Sequence, residues 1–398
     1  MKIAFYNHTS TVSGAEISLL LTAKYLTEAH PIIFAPEGEL LQKARNLGIE
    51  IVALPSFRAR MTRNPFLLVV YMIGMLWAGW KLALLMKKSR VDLIHANSIR
   101  AGIMAGLFGW YHRLPVVWHV RDMPPKGFIG NLIKRLGGST AKALICISES
   151  VIQSMDHPSV AGQCRLVHNG VELKSFHKEE RERINDRIRS ELRTPQEARV
   201  LAIIGQIAPW KRQEDAIEAF ASLVREERNA VLWIVGEAKF RPENERYLER
   251  LKEMVKTFNL EDKVIFTGFR EDVLEICCAA DLLLLCSDHE PFGRVIIEAM
   301  SQGVPVVGTR GGGVPEIIEH GMSGFMYEIG NTDELALYIR QVLDDQVIWS
   351  LFSQNGQERA REMFSIKQTS HKVQQIYKEL LARPGVEFKE RQQAKEIV

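Results

Sequence analysis

Two carboxylates eight positions apart, Glu290 and Glu298, stand in the stretch EPFGRVIIEAM. Pro291 stops a helix from running through from the N-terminal side, and Phe292-Gly293 can turn the chain. From about Gly293, residues Val295, Ile296, Ile297, Ala299 and Met300 read as a buried helix. Glu290 therefore sits just ahead of a helix start, and Glu298 lies two turns in. A helix start offers unpaired N–H groups and positive potential, which suit a phosphate. A carboxylate beside it can accept hydrogen bonds from sugar hydroxyls. The pair fits a ligand that carries both phosphate and sugar. Glutamates near a helix start are also favoured by the macrodipole alone. What singles these out is their flanks, a strand-like DLLLLCSDHE before and SQGVPVVGTRGGGVPEII after.

Other stretches place chemistry at the ends of strand-like runs. VLAIIG leads through Gln206 and Pro209-Trp210 to Lys211 and Arg212, then into a helix. A cation there can balance a diphosphate, although two exposed basic loop residues would look the same. PVVWHVRDMPP puts His119, Arg121 and Asp122 at a strand's carboxyl end, and VDLIHANS does the same for His95 and Asn97. Ligands of open parallel sheets bind at such ends; a buried, satisfied core histidine is the plainer alternative for His95. Gly14, Ala15 and Glu16 lead from the first strand into a helix, where backbone amides can approach an anion or Ser13 can simply cap the helix. Ser148 suits a helix cap. Gly236, Gly268 and Phe269 end two further strands, and Gly312 centres a triple glycine that lets the backbone close on a ligand or merely flex.

Short Val-, Ile- and Leu-rich runs alternating with helical stretches carry these residues. In the first half they are KIAFYN, PIIFA, IEIVAL, VDLIHA, PVVWHV, ALICIS and RLVHN. In the second they are VLAIIG, AVLWIVG, KVIFTG, DLLLLC, PVVGT and FMYEI. Such runs imply parallel sheets covered on both faces. Two sets in 398 residues predict an α/β chain of two doubly wound, Rossmann-like domains facing across a cleft that holds the ligand. The expected domains are 1–168 and 169–364, joined near Asn169-Gly170, with a last helix at about 365–382 and a polar tail over 383–398. Residues 178–193 are highly charged and read as a solvated helix.

Apolar residues make up 46% and charged residues 25%, an ordinary soluble balance. Net charge is +3, but residues 1–170 hold 19 Lys+Arg against 9 Asp+Glu, and the remainder 32 against 39. The basic half suits an anionic partner such as a membrane surface or a phosphate-bearing acceptor. The five cysteines form no Cys-x-x-Cys and no metal spacing, as in a reduced compartment, so a cytoplasmic protein is expected. No G-x-G-x-x-G occurs, against a dinucleotide oxidoreductase, and no Asp-x-Asp, so no metal is expected. Phe66 to Met86 is apolar but for Lys81, with fifteen unbroken residues up to Trp80, and is flanked by Arg58, Arg60 and Arg63 and by Lys87, Lys88 and Arg90. A helix with no polar face is buried in protein or in lipid. Its length would allow a transmembrane helix, but the strands on either side are expected in one sheet, so topology argues against a pass. The expectation is a helix lying on or dipped into an anionic membrane through 58–90, or else a buried crossover helix.

The Glu-seven-residues-Glu stretch and the order of the motifs resemble the family-4 retaining glycosyltransferases of the GT-B fold, over nearly the whole chain. The resemblance implies a retaining transferase that moves a sugar from a UDP- or GDP-linked donor to an acceptor hydroxyl, in surface polysaccharide or glycolipid assembly. It implies no cofactor, a saccharide or lipid-linked acceptor, no nucleic-acid partner, and a place in the cytoplasm or on the inner face of the cell membrane. Carried over, Glu298 holds ribose hydroxyls, and Glu290 orients the donor sugar. Phe292, Gly293 and Arg294 offer backbone N–H groups, Lys211 stabilises the departing diphosphate, and His119 meets the sugar's 6-hydroxyl. Gly236, Gly268 and Phe269 line the base, and the last helix returns to the first domain. The sequence departs from the family at Ser13, at Val120-Arg121 and at Gln206, where the family has glycine, no insertion and arginine. Arg212 or Arg294 could replace that arginine's charge. Another GT-B enzyme, an epimerase or phosphorylase, and a non-catalytic nucleotide-sugar-binding subunit are the alternatives.

Overall fold

The computed structural model describes residues 1–55, 57, 65–174, 176–226, 228–239 and 241–382. Arg58, Arg60, Arg63 and the 383–398 tail lie outside them. The chain divides into two units, Met1–Gly170 with the segment from Ile366, and Val171–Ser365.

All thirteen apolar runs are strands. In the first unit they are β1 (Lys2–Tyr6), β2 (His30–Ala35), β3 (Glu50–Ala53), β4 (Leu93–Ala96), β5 (Val116–Val120), β6 (Ala143–Cys146) and β7 (Cys164–Leu166), in the order β3-β2-β1-β4-β5-β6-β7. In the second unit β8 (Arg199–Ile204), β9 (Ala230–Val235), β10 (Val264–Gly268), β11 (Leu282–Leu285), β12 (Val306–Thr309) and β13 (Phe325–Tyr327) take the order β10-β9-β8-β11-β12-β13. Every neighbouring pair is parallel. Parallel strands need crossover helices, which bury both faces of the sheet, and this is why the strands read as continuous apolar runs. Phe5 pairs with Ile33 on one side and His95 on the other, and Ile203 with Ile234 and Leu284. Burying such side chains contributes about 1.5–3 kcal/mol each.

Strand order reverses between β1 and β4 and between β8 and β11. A crevice opens at the carboxyl ends of the strands at such a reversal. Asn7 and Asn97 follow the first pair, and Gly205-Gln206 and Cys286-Ser287 the second.

The last helix, Ile366–Leu381, belongs to the first unit and packs on the helix Gly14–Lys24. Ser370 Oγ donates to the Thr22 carbonyl, and Gln374 Oε1 accepts from the Thr27 and Glu28 amides. Gly170 passes so close to this helix that a Cβ there would meet Ile366 Cα at 2.6 Å.

The helix Pro65–Lys88 lies between β3 and β4 in sequence, and both strands belong to one sheet. Its C-terminal part packs on the helices Ile99–Gly106 and Gly109–His112, burying Ala78, Leu82, Ala83 and Met86. Its first half is open: Phe66 is 73% exposed, Met72 62% and Ile73 60%. The buried-crossover alternative therefore fails; only 28% of the apolar window Val69–Lys88 is covered. The charged helix, Lys178–Glu191, is not solvated throughout either, because Arg189 is buried and pairs with Asp281.

Candidate active site

In the second unit the helix Arg294–Ser301 starts immediately after Gly293, whose φ of 100° is open to glycine and strained for other residues. Glu290 and Glu298 are both buried on this short segment. Glu290 Oε2 accepts from Lys211 Nζ at 2.6 Å and from Ser287 Oγ at 3.0 Å. Lys211 reaches it from the turn after β8, its ammonium 4.3 Å from the Trp210 ring centroid. Arg294 and Glu298 form an ion pair one helical turn apart. One Arg294 nitrogen, Nη1, is buried with no hydrogen-bond partner among the described residues. A buried guanidinium nitrogen without an acceptor is costly unless a ligand supplies one.

The glycines bring the loops together. A Cβ on Gly312 (φ +58°) would lie 2.0 Å from the Glu290 carbonyl oxygen, and the Gly313 amide donates to that oxygen at 2.8 Å. A Cβ on Gly236 would lie 1.9 Å from the Gly205 carbonyl oxygen. The triple glycine thus serves close packing against Glu290. Gly236 also donates its amide to the Gly268 carbonyl, and Phe269 beside it is 52% exposed with Lys239 Nζ 4.4 Å from its ring centroid.

Gln206 and Arg212 are engaged elsewhere. Gln206 Nε2 donates to the Lys239 carbonyl, so it ties down a loop. Arg212 sits at φ 51° and grips buried Asp215 with two hydrogen bonds of 2.8 and 2.9 Å, with Asp288 at 3.6 Å. Hydrogen bonding to Asp215 holds the guanidinium charged, while burial pushes the Asp215 carboxyl up. Of the two cations expected to replace the missing arginine, Arg212 is spoken for; Arg294 has a nitrogen to spare.

In the first unit the residues beyond β1, β4 and β5 form one buried network. Glu16 caps its own helix, accepting from the Ser13 amide at 3.0 Å and Ser13 Oγ at 2.5 Å, and it also accepts from Asn7 Nδ2 at 3.2 Å. Asn97 Nδ2 donates to Asn7 Oδ1 and to the Ala15 carbonyl, and its Oδ1 accepts from Arg121 Nε at 2.7 Å. Arg121 also bonds Asn169 Oδ1 at 2.8 Å and His119 Nδ1 at 3.2 Å. His95 Nε2 lies 3.0 Å from His119 Nδ1, and Tyr377 Oη lies 2.6 Å from His95 Nδ1. Burial first, and the Arg121 charge second, push both imidazoles well below their usual range, so both are neutral near pH 7. His119 Nε2 is buried with no partner among the described residues. A Cβ on Gly14 would touch nothing, so the helix start there is open.

His119, Arg121, Asn97 and Glu16 are thus joined in one unit, and Lys211, Glu290, Phe292, Gly293, Arg294, Glu298 and Gly312 lie on adjoining loops of the other. Among the described residues no cluster of His, Cys, Asp and Glu could hold a metal. Sequence reasoning missed Asn7, Asn169, Ser287, Asp215 and Tyr377. The strand-end rule could have found Asn7 and Ser287; nothing local marks Tyr377, 282 positions from its partner His95.

Comparison with known proteins gives these residues a context. Glycosyltransferase Family 4 matches residues 12–175, and Glycosyl transferases group 1 matches residues 184–363. The chain is 29% identical to the N-acetyl-alpha-D-glucosaminyl L-malate synthase of Bacillus anthracis over 311 residues, 76% of this chain and 78% of that one. It is 24% identical to a D-inositol 3-phosphate glycosyltransferase of Corynebacterium glutamicum, over 88% and 86% of the two chains. The crystal structure of Anabaena Alr3699/HepE in complex with UDP-glucose superposes with a TM-score of 0.81 at 25% identity, over 95% of this chain and 100% of that one. With two parallel α/β units, each matched by its own half of the family, the chain belongs to the family-4, group 1 glycosyltransferases of the GT-B fold.

Proposed function

We propose that this glycosyltransferase takes its sugar from a nucleoside-diphosphate sugar, without a metal, and passes it with retained anomeric configuration to an acceptor hydroxyl in surface polysaccharide or glycolipid assembly. The observation that carries the proposal is the Lys211–Glu290 pair beside the start of the helix Arg294–Ser301. In the free protein the lysine is neutralised by Glu290. A donor diphosphate competes for that ammonium and for the Phe292, Gly293 and Arg294 amides, which frees Glu290 to accept from sugar hydroxyls. Lys211 and Arg294 then meet the charge that grows on the leaving diphosphate, the change a transferase must stabilise. Glu298 accepts from the ribose hydroxyls and Phe269 stacks the base; in the first unit, His119 is the residue read as facing a ligand oxygen. A UDP-linked donor is favoured by the UDP-glucose bound to the Anabaena protein. Retention follows if the acceptor attacks from the face the diphosphate leaves.

The working place we propose is the cytoplasmic face of a membrane. The open half of the helix Pro65–Lys88, with exposed Trp110 on the adjoining helix Gly109–His112, supports it as a surface for lipid. The five free cysteines, four of them buried, suit a reducing compartment.

The reading is tested by screening nucleotide sugars in EDTA for a rise in melting temperature, then following turnover of any that bind. A retained-anomer product released with nucleoside diphosphate is expected. An inverted product, or donor binding without transfer to any acceptor, overturns it.

A further inference from the structure

We propose that Tyr377 and His95 are positioning residues that, with Arg121, fix His119 in the tautomer protonated on Nε2, so that the site presents a hydrogen-bond donor and selects an oxygen acceptor of the ligand at that point. The proposal rests on the reading of His119 as a ligand-facing residue.

The polarity of the network is set at Arg121. A guanidinium nitrogen can only donate, so at 3.2 Å it requires the lone pair of His119 Nδ1. With Nδ1 unprotonated, a neutral His119 carries its proton on Nε2. His95 Nε2, 3.0 Å from the same lone pair, must also donate. His95 Nδ1 is then bare, and it accepts the Tyr377 hydroxyl at 2.6 Å. Each polar atom in the chain Tyr377–His95–His119 is used once its direction is set, apart from His119 Nε2. That atom is buried and without a partner among the described residues. A buried donor with nothing to donate to is costly, and a ligand oxygen relieves it. A proton on His119 Nδ1 would face the Arg121 cation, so the opposite polarity is disfavoured at that end. The hydroxyl that starts the chain comes from the last helix, so the C-terminal segment contributes polarity to this strand-end site as well as packing.

The direct test is long-range 1H–15N correlation of the full chain labelled with 15N-histidine, near pH 7, with His119 assigned through His119→Gln. The expected spectrum shows His119 and His95 neutral and protonated on Nε2. A proton on His119 Nδ1, or an imidazolium, overturns the proposal, and this readout needs no substrate, so it stands apart from the transferase reading. The functional arm uses Tyr377→Phe, which leaves His95 free to change tautomer. Turnover is expected to fall about 10-fold at unchanged UDP affinity. His95→Gln, which keeps a donor toward His119 Nδ1, is expected to retain more turnover than His95→Leu. Wild-type turnover in Tyr377→Phe, or equal loss in the two His95 variants, removes the positioning role. Wild-type turnover in His119→Ala instead removes the ligand-facing reading while leaving the tautomer result intact.

Discussion

The ammonium of Lys211 lies 2.6 Å from the carboxylate of Glu290, joining the loop after β8 to the loop after β11 at the point where the second sheet reverses its strand order. Both side chains are largely covered, 16% and 11% exposed, so removing one leaves the other charged and poorly solvated. Lys211→Ala is expected to lower turnover by about 10²-fold and stability by about 1–3 kcal/mol. The double variant Lys211→Ala/Glu290→Ala should recover most of the stability and none of the turnover. Chemical denaturation and initial rates on the same samples separate the two effects; recovered turnover in the double variant contradicts the catalytic role.

Glu298 should act on the nucleotide alone. Glu298→Ala is expected to weaken UDP binding about 10-fold or more through lost ribose hydrogen bonds. A 2′,3′-dideoxy nucleotide should bind the variant and the wild type nearly equally. Calorimetric titration with both ligands checks this, and an equal loss for both would point to packing around Arg294 instead.

The loop glycines make a contrast in stability. Gly312→Ala combines φ +58° with a contact of 2.0 Å to the Glu290 carbonyl and should cost about 3 kcal/mol or more, with loss of nucleotide binding. Gly14→Ala, where a Cβ meets nothing, should be neutral or stabilising by up to about 1 kcal/mol. Denaturation midpoints of the two variants test the pair.

His95 and His119 are held neutral, their folded values pushed below the ordinary 6.5. Below pH 6.5 the unfolded chain takes up protons that the native chain refuses, so stability is flat above that pH and falls as pH drops below it. Each histidine contributes a slope of up to about 1.4 kcal/mol per pH unit until its folded value is reached. Denaturation between pH 7.5 and 5 should show this slope, and His95→Gln should flatten it. A slope of opposite sign would mean that the pair is charged in the native state.

Placing a charge on the open half of the helix Pro65–Lys88 tests the membrane reading. Met72→Glu and Ile73→Glu replace side chains about 60% exposed, so folding should be unaffected. Wild-type protein should pellet with anionic liposomes at low salt while the variants remain in solution with unchanged turnover on a soluble acceptor. Equal recovery of wild type with and without liposomes contradicts a lipid role.

The architecture was legible because parallel strands buried on both faces leave a mark that needs no partner, an unbroken run such as DLLLLC or AVLWIVG. The helix start at Arg294 was legible for a similar reason, since Pro291 and Gly293 act through their own backbone. What a side chain bonds to across the fold leaves no such mark. The grip of Asp215 on Arg212, the use of Gln206 to tie the Lys239 carbonyl, and the polarity that Tyr377 feeds to His95 each depend on chain segments brought together only by folding. The open face of the 65–88 helix was ambiguous for the opposite reason: an all-apolar surface predicts burial without saying in what.

Calorimetric titration of wild type and Lys211→Ala with UDP-linked and GDP-linked sugars in EDTA shows whether Lys211 holds a donor diphosphate. At least one donor is expected to bind the wild type without metal, with a Kd that rises about 10-fold or more in Lys211→Ala. Equal affinity in the two proteins, or no binding of any donor to the wild type, contradicts it.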